Sequence, residues 1–218
     1  AAPLWEVSLP ERGGAAIGAK KPTATLLVTR DDGSRDRMPL PAVVGRILRA
    51  KQKSGEVSPA SRDELMHIVE GLCHSCARTR IQRLIDRREY SSSEIRQKLL
   101  LDGYCPSTIE PCVKRAIEAG LVSDARFADS FIRSKMHAGW GARRIERELV
   151  RRGIAVDDVR GWPYEFFDPE DELERACDIA RRHRVSGAHP YEKLTRYLCN
   201  RGFGLDVAKR AARAALEE

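Results

Sequence analysis

The chain has 218 residues, of which 42% are hydrophobic but only 6% aromatic, a composition that suits helical modules packed through Ala, Leu, Ile and Val better than one thick α/β core. Its 39 Lys and Arg against 32 Asp and Glu leave a formal charge of +7, which favours an anionic partner such as nucleic acid. No apolar run approaches the roughly 20 residues that cross a membrane, and 6 cysteines without an export signal are expected to stay reduced in a cytoplasm rather than form a disulfide framework.

Residues 1–22 include Gly13, Gly14, Gly18 and a Lys20-Lys21-Pro22 step, lack the charged start and apolar stretch of a secretion signal, and read as a flexible tail. Residues 23–72 read as a β-hairpin followed by helices. Thr25-Leu26-Leu27-Val28-Thr29 is a strand, Asp32-Gly33 a turn, and Arg35 to Leu40 the return strand. One short helix is expected from about Pro41 to Ala50. A second runs from about Ser58 to Leu72, with the capping-box spacing Ser61-Arg62-Asp63-Glu64.

From Cys73 onward the chain aligns on glycine. Gly103, Gly153 and Gly202 each follow an amphipathic helix and are each followed at once by an apolar residue, namely Tyr104, Ile154 and Phe203. That pairing is the signature of a left-handed helix end. Ile95 and Leu99, Ile145 and Leu149, and Leu194 and Leu198 then align as i, i+4 pairs on a middle helix. Upstream, Ala77 and Ile81 align with Phe127 and Phe131 and with Ala176 and Ala180; downstream, Ile109, Val159 and Ala208 align on a third helix. The fold class is therefore all-α. Three-helix repeats are expected over 73–122, 123–165 and 166–218, stacked as a curved solenoid. The third helix of the middle repeat is the weakest, because Gly161-Trp162-Pro163 interrupts it. Ser91-Ser92-Ser93-Glu94 forms a capping box, Ser123 or Asp124 caps the helix carrying Phe127, and Pro190 opens another helix.

The sharpest charge feature lies between Arg133 and Arg152. Arg133, Lys135, Arg143, Arg144, Arg147, Arg151 and Arg152 face only Glu146 and Glu148. On a helical wheel Arg143, Arg144, Arg147 and Arg151 fall opposite Ile145 and Leu149, an arc whose self-repulsion a polyanion relieves. The contact candidates are Arg133, Lys135, Arg143, Arg144, Arg147 and Arg151. Arg78, Arg80, Arg83 and Arg87 form a secondary, more mixed patch. Arg181, Arg182 and Arg184 read as cations favoured at a helix end, and the last repeat is neutral overall. Cys73-His74-Ser75-Cys76 lacks a second ligand pair at zinc spacing, so buried thiols explain it better than a metal. No GxxxxGK[ST], GxSxG or HExxH pattern occurs, and neither catalysis nor a cofactor is expected.

Gly120-Leu121-Val122-Ser123-Asp124-Ala125-Arg126-Phe127-Ala128, then Gly139-Trp140-Gly141-Ala142-Arg143-Arg144-Ile145 and Glu148-Leu149-Val150-Arg151-Arg152-Gly153-Ile154, resemble the central motif of the RecX family. Ser93-Glu94-Ile95, Lys98-Leu99 and Gly103-Tyr104 match the repeat before it. The resemblance covers about 75–218, with Ala142 where the family often has Pro. It implies a non-enzymatic regulator of the RecA recombinase. Such a protein binds the RecA–DNA filament and inhibits its ATPase, coprotease and strand-exchange activities, and so modulates recombination and the SOS response. It also implies weak, sequence-indifferent contact with single- and double-stranded DNA, and a cytoplasmic monomer away from membranes. Asp124, Arg126, Phe127 and Ala128 carry over as family motif, with Asp124 a cap and Phe127 in the core. An autonomous helix-turn-helix-like DNA-binding regulator is the alternative, although no helix is rich in base-reading Asn, Gln and Arg.

Overall fold

The computed structural model describes residues 3–11, 16, 18–30 and 32–217, and the chain divides into two compact units, Ala1–Val122 and Ser123–Glu218. The fold is mostly helical, with a small antiparallel sheet near the N-terminus.

In the first unit, β1 (Leu4–Ser8), β2 (Ala24–Thr29) and β3 (Arg35–Leu40) pair in the order β1-β2-β3. The expected hairpin is β2–β3, with Leu26 opposite Met38. The third strand is a correction, since Leu4–Ser8 lies in the segment read as a flexible tail. It pairs with β2 along its length, Val7 opposite Leu26, and Val7 is buried. Gly13 and Gly14, on which the tail reading also rested, lie outside the described residues. Ala24, Leu26 and Val28 alternate inward along β2, as a sheet with one covered face requires. The cover is α1 (Ala42–Ser54), whose Val44 and Leu48 are buried. Gly45 sits where any Cβ would overlap Ala24, so helix and strand approach at backbone distance.

Arg62–Ile85 is one continuous helix, α2, not a helix ending near Leu72 and another starting at Cys73. Leu65, Val69, Cys73, Ala77 and Ile81 form an unbroken i, i+4 stripe, all buried. The boundary expected between 72 and 73 therefore falls inside a helix. Gly71 does not break it, because it lies on the solvent side. Ser61 caps α2 by accepting from the Glu64 N–H at 3.2 Å. α3 (Ser92–Leu101) and α4 (Pro106–Glu118) pack against α2, closing one continuous core with the sheet. Ser91 and Glu94 form the reciprocal capping box, both bonds at 3.1 Å. Lys21 donates its backbone N–H to Leu101 at 2.8 Å, and Asp102 takes both Lys21 and Arg80, which fastens the segment before β2 to α3.

The second unit contains α5 (Asp124–His137), α6 (Ala142–Arg151), α7 (Pro169–Arg182), α8 (Pro190–Arg201) and α9 (Leu205–Glu217). In place of a helix after α6 there is a single 3-10 turn, Val156–Asp158, followed by turns in which Val159 and Phe167 reach the α5–α6 core. The aligned stripe positions share one fate. Ile95, Leu99, Ile145, Leu149, Leu194 and Leu198 are all at most 1% exposed. Gly103, Gly153 and Gly202 take φ of 96°, 76° and 98°. Tyr104, Ile154 and Phe203 each donate back to the leucine five residues before, at 3.0–3.2 Å, a hydrogen bond available only when the glycine is left-handed.

Because Gly71 is helical, exposed and has open space around its Cβ position, Gly71→Ala is expected to stabilise the chain by about 0.5–1 kcal/mol. A thermal melt checks this. A flexible joint at 72–73 would instead leave the midpoint unmoved.

Candidate polyanion interface

α6 carries most of the predicted contact residues, and its first turn is where its position is set. Gly141 donates its N–H to the Arg201 carbonyl at 2.9 Å, and Arg143 donates to the Gly202 carbonyl at 3.1 Å. The free N–H groups at the start of α6 thus meet the free carbonyls at the end of α8, each satisfying what the other helix leaves open. The two backbones touch. A Cβ at Gly141 would overlap the Gly202 main chain, and one at Gly202 would overlap Arg144. Ala142 donates its N–H to Glu172 at 3.3 Å, a bond that a proline at this position could not make.

The preceding helix end is held from the same side. Arg175 on α7 donates to the Met136 and Trp140 carbonyls at 2.9 and 2.8 Å, and Arg201 donates to the Ala138 carbonyl at 3.1 Å. Burial lowers the Arg175 pKa, against the pull of Glu172 and Asp171. Residues expected to fall in separate repeats, divided at 165, are thus interlocked within one unit. Neither Arg175 nor Arg201 was marked by the sequence. A lone arginine on a helix carries no sign that it will cap a different helix.

The basic residues sort into two groups. An aromatic row runs through Phe127, Phe131 and Trp140, with ring centroids 5.8 and 6.5 Å apart. Arg144 lies over Trp140 at 3.8 Å, Lys135 over the same ring at 5.0 Å, and Arg152 over Phe131 at 5.0 Å. These cations are half-buried and their flat contacts stiffen the surface. Arg133 pairs with Asp129 at 3.0 Å, and Arg151 and Arg152 share Glu148. Burial alone would push the Glu148 carboxyl up, but these two guanidiniums outweigh it and hold the group below its ordinary value.

Arg143 and Arg147 differ. Both are exposed, and neither side chain has a hydrogen bond or ion pair among the described residues. The expected arc of Arg143, Arg144, Arg147 and Arg151 therefore reduces to two unengaged guanidiniums on a rigid frame. Ile145 and Leu149, at 0% exposure, anchor that frame from the other face.

In the first unit Arg78, Arg83 and Arg87 are exposed, whereas Arg80 is half-buried and bound to Asp102 at 2.6 Å. Of the motif residues, Phe127 and Ala128 are core. The cap of α5 is Ser123, which accepts from the Arg126 N–H at 3.2 Å; Asp124 stands in the first turn, where its charge suits the helix dipole. Arg126 itself is exposed. Cys73 and Cys76 lie on α2, and Cys112 packs with its Sγ 3.4 Å from His74 Nδ1. No helix among the described residues is long and apolar enough to cross a membrane.

Comparison with known proteins gives a consistent picture. Residues 77–115 match the family model for RecX, first three-helix domain, and residues 123–160 that for RecX, second three-helix domain. The chain is 38% identical over 138 residues to the regulatory protein RecX of Chromohalobacter salexigens, covering 62% of this chain and 90% of that one. It is 31% identical over 156 residues to the regulatory protein RecX of Halorhodospira halophila, covering 68% and 93%. Among solved structures, the crystal structure of RecX from Lactobacillus salivarius aligns with a TM-score of 0.56 at 18% identity, covering 67% of this chain and 98% of that chain. Another crystal structure of regulatory protein RecX aligns over the whole of both chains with a TM-score of 0.60 at 19% identity.

Two outcomes follow from this geometry. Gly141→Ala is expected to destabilise the second unit by about 2–4 kcal/mol, since backbone rather than a flexible side chain must move; denaturant unfolding measures it, and a change within the scatter of a surface mutation contradicts the close approach. Glu148 has a lowered folded pKa, so its stabilisation is present at neutral pH and is lost as pH falls through that lowered value. Glu148→Gln should therefore melt below wild type at pH 7, the gap closing once pH drops beneath the ordinary glutamate value of 4.5.

Proposed function

The chain belongs to the RecX family, and from that membership we propose that it is a regulator that binds the RecA–DNA filament and inhibits recombinase activity. Inhibition extends to ATP hydrolysis, strand exchange and coprotease action, and so to recombination and the SOS response. The observation that carries the reading is the pair Arg143 and Arg147, exposed and unengaged on a helix whose start is fixed by backbone hydrogen bonds. A guanidinium with no internal partner has its hydrogen-bond donors available for phosphate or carboxylate oxygens.

The chemistry is that of occupancy. The protein acts by binding as a cytoplasmic monomer, without a cofactor and without turnover of its own. Contact made through phosphates rather than base edges gives affinity that falls with salt and little sequence preference. Lys135, Arg144 and Arg152 brace the aromatic row and helix end, so the backbone that carries Arg143 and Arg147 needs no ordering on binding. Arg133 and Arg151 add charge at the rim through pairs that exchange easily with solvent.

The alternative, an autonomous DNA-binding regulator, makes a different prediction: tight, sequence-selective duplex binding with no effect on a recombinase. One experiment separates the two. Added to RecA on single-stranded DNA, the protein should suppress ATP hydrolysis at amounts well below one per recombinase subunit. Arg143→Ala/Arg147→Ala should raise the required amount roughly tenfold, because charge-assisted hydrogen bonds disappear at two sites. No suppression at any ratio contradicts the proposal. Full suppression by the double variant removes α6 as the binding surface.

A further inference from the structure

We propose that the first unit carries a phosphodiester-binding cleft of its own, distinct from α6. Two adjoining cavities of about 480 and 440 Å³ open beside α1, α2 and the Lys21-Pro22 segment, sharing Lys21, Arg46, Arg80 and Asp102 in their linings. Arg83 adds to one and Lys98 to the other. Against these five cations stand Glu11 and Asp102, and Asp102 is already occupied by Lys21 and Arg80. Arg46 and Arg83 are exposed, and neither side chain has a hydrogen bond or ion pair among the described residues. The positive charge of the cleft is thus unneutralised where it meets solvent.

The walls say which anion fits. Pro22, Ala42, Val43 and Ile47 are aliphatic, and the one ring in either lining, Tyr104, is 3% exposed. A base finds no exposed aromatic ring to stack on in either lining, which removes the usual means of holding single-stranded bases. Phosphates remain, and the planar fork of arginine matches them. The ligand class is therefore the sugar–phosphate backbone of a nucleic acid strand, gripped without regard to sequence. Lys21 and Arg46 lie outside residues 77–115 and 123–160, so the first matched three-helix domain, which supplies Arg80, Arg83 and Lys98, makes up only part of this site. The inference rests on the reading that the chain works on a nucleoprotein filament, which brings nucleic acid to it.

The test uses the full chain and a fluorescein-labelled oligo-dT, with anisotropy titrations across a salt series. Arg46→Ala/Arg83→Ala should weaken binding about tenfold and reduce the salt slope by about 1.4, since each phosphate neutralised on a single strand contributes roughly 0.7. Arg46→Gln/Arg83→Gln should do the same, and both variants should keep the wild-type melting temperature. Unchanged affinity and slope in either folded variant overturns the proposal. So does polyglutamate binding the wild type as tightly as the oligonucleotide and the variants about tenfold more weakly, which assigns the cleft to acidic protein. ATPase suppression is measured in parallel. If the wild type fails to suppress while Arg46→Ala/Arg83→Ala still binds DNA more weakly, the regulatory reading falls and the cleft stands.

Discussion

The start of α6 rests on the end of α8 through main-chain hydrogen bonds, and the second unit depends on that junction. A helix beginning normally exposes N–H groups to solvent and frays. Here Gly141 and Arg143 give theirs to Arg201 and Gly202, and two glycines permit the approach. The basic residues of α6 are all referenced to this junction. Arg144 leaves the backbone directly beside Gly202 and lies on Trp140, while Arg143 and Arg147 project from a helix whose start is tied to α8 by main-chain hydrogen bonds. Arg175 and Arg201 close the neighbouring end of α5, so three helix termini share one set of polar contacts.

A basic surface built this way divides its labour. Half-buried cations over Phe131 and Trp140 serve structure, and their desolvation is offset by the ring faces they cover. Glu148 takes two guanidiniums and lowers local repulsion at the end of α6. What is left over is small, two arginines, but it is held in place. The first unit follows the same pattern: Asp102 absorbs Lys21 and Arg80, and Arg46 and Arg83 are left unneutralised.

Much of the helical plan was legible in the sequence because its signals are local. A glycine followed by an apolar residue, with leucine four before it, encodes a helix end and its buried stripe together, as at Leu99, Gly103 and Tyr104. Ser91 and Glu94 announce a capping box within four residues. The strand Leu4–Ser8 was missed because its partner lies some way along the chain and its alternation, Trp5 and Val7 against Glu6 and Ser8, is short. The join at residues 72–73 was misplaced because repeat alignment marks where a motif starts, whereas the stripe from Leu65 to Ile81 decides where a helix runs. The α6–α8 junction had no sequence signature at all. Gly141 and Gly202 each look like ordinary helix-end glycines, and only the fold shows that they meet. A helical wheel likewise placed Arg144 on the outer arc without knowing that a tryptophan from the preceding turn would cover it.

Hydrogen exchange at the α6 terminus tests the central claim most directly. The account predicts that the amides of Gly141 and Arg143 are protected to the same degree as those in the buried middle of the helix, opening only when the whole unit unfolds. Exchange at the rate of a frayed helix start, with Leu149 still protected, would contradict it.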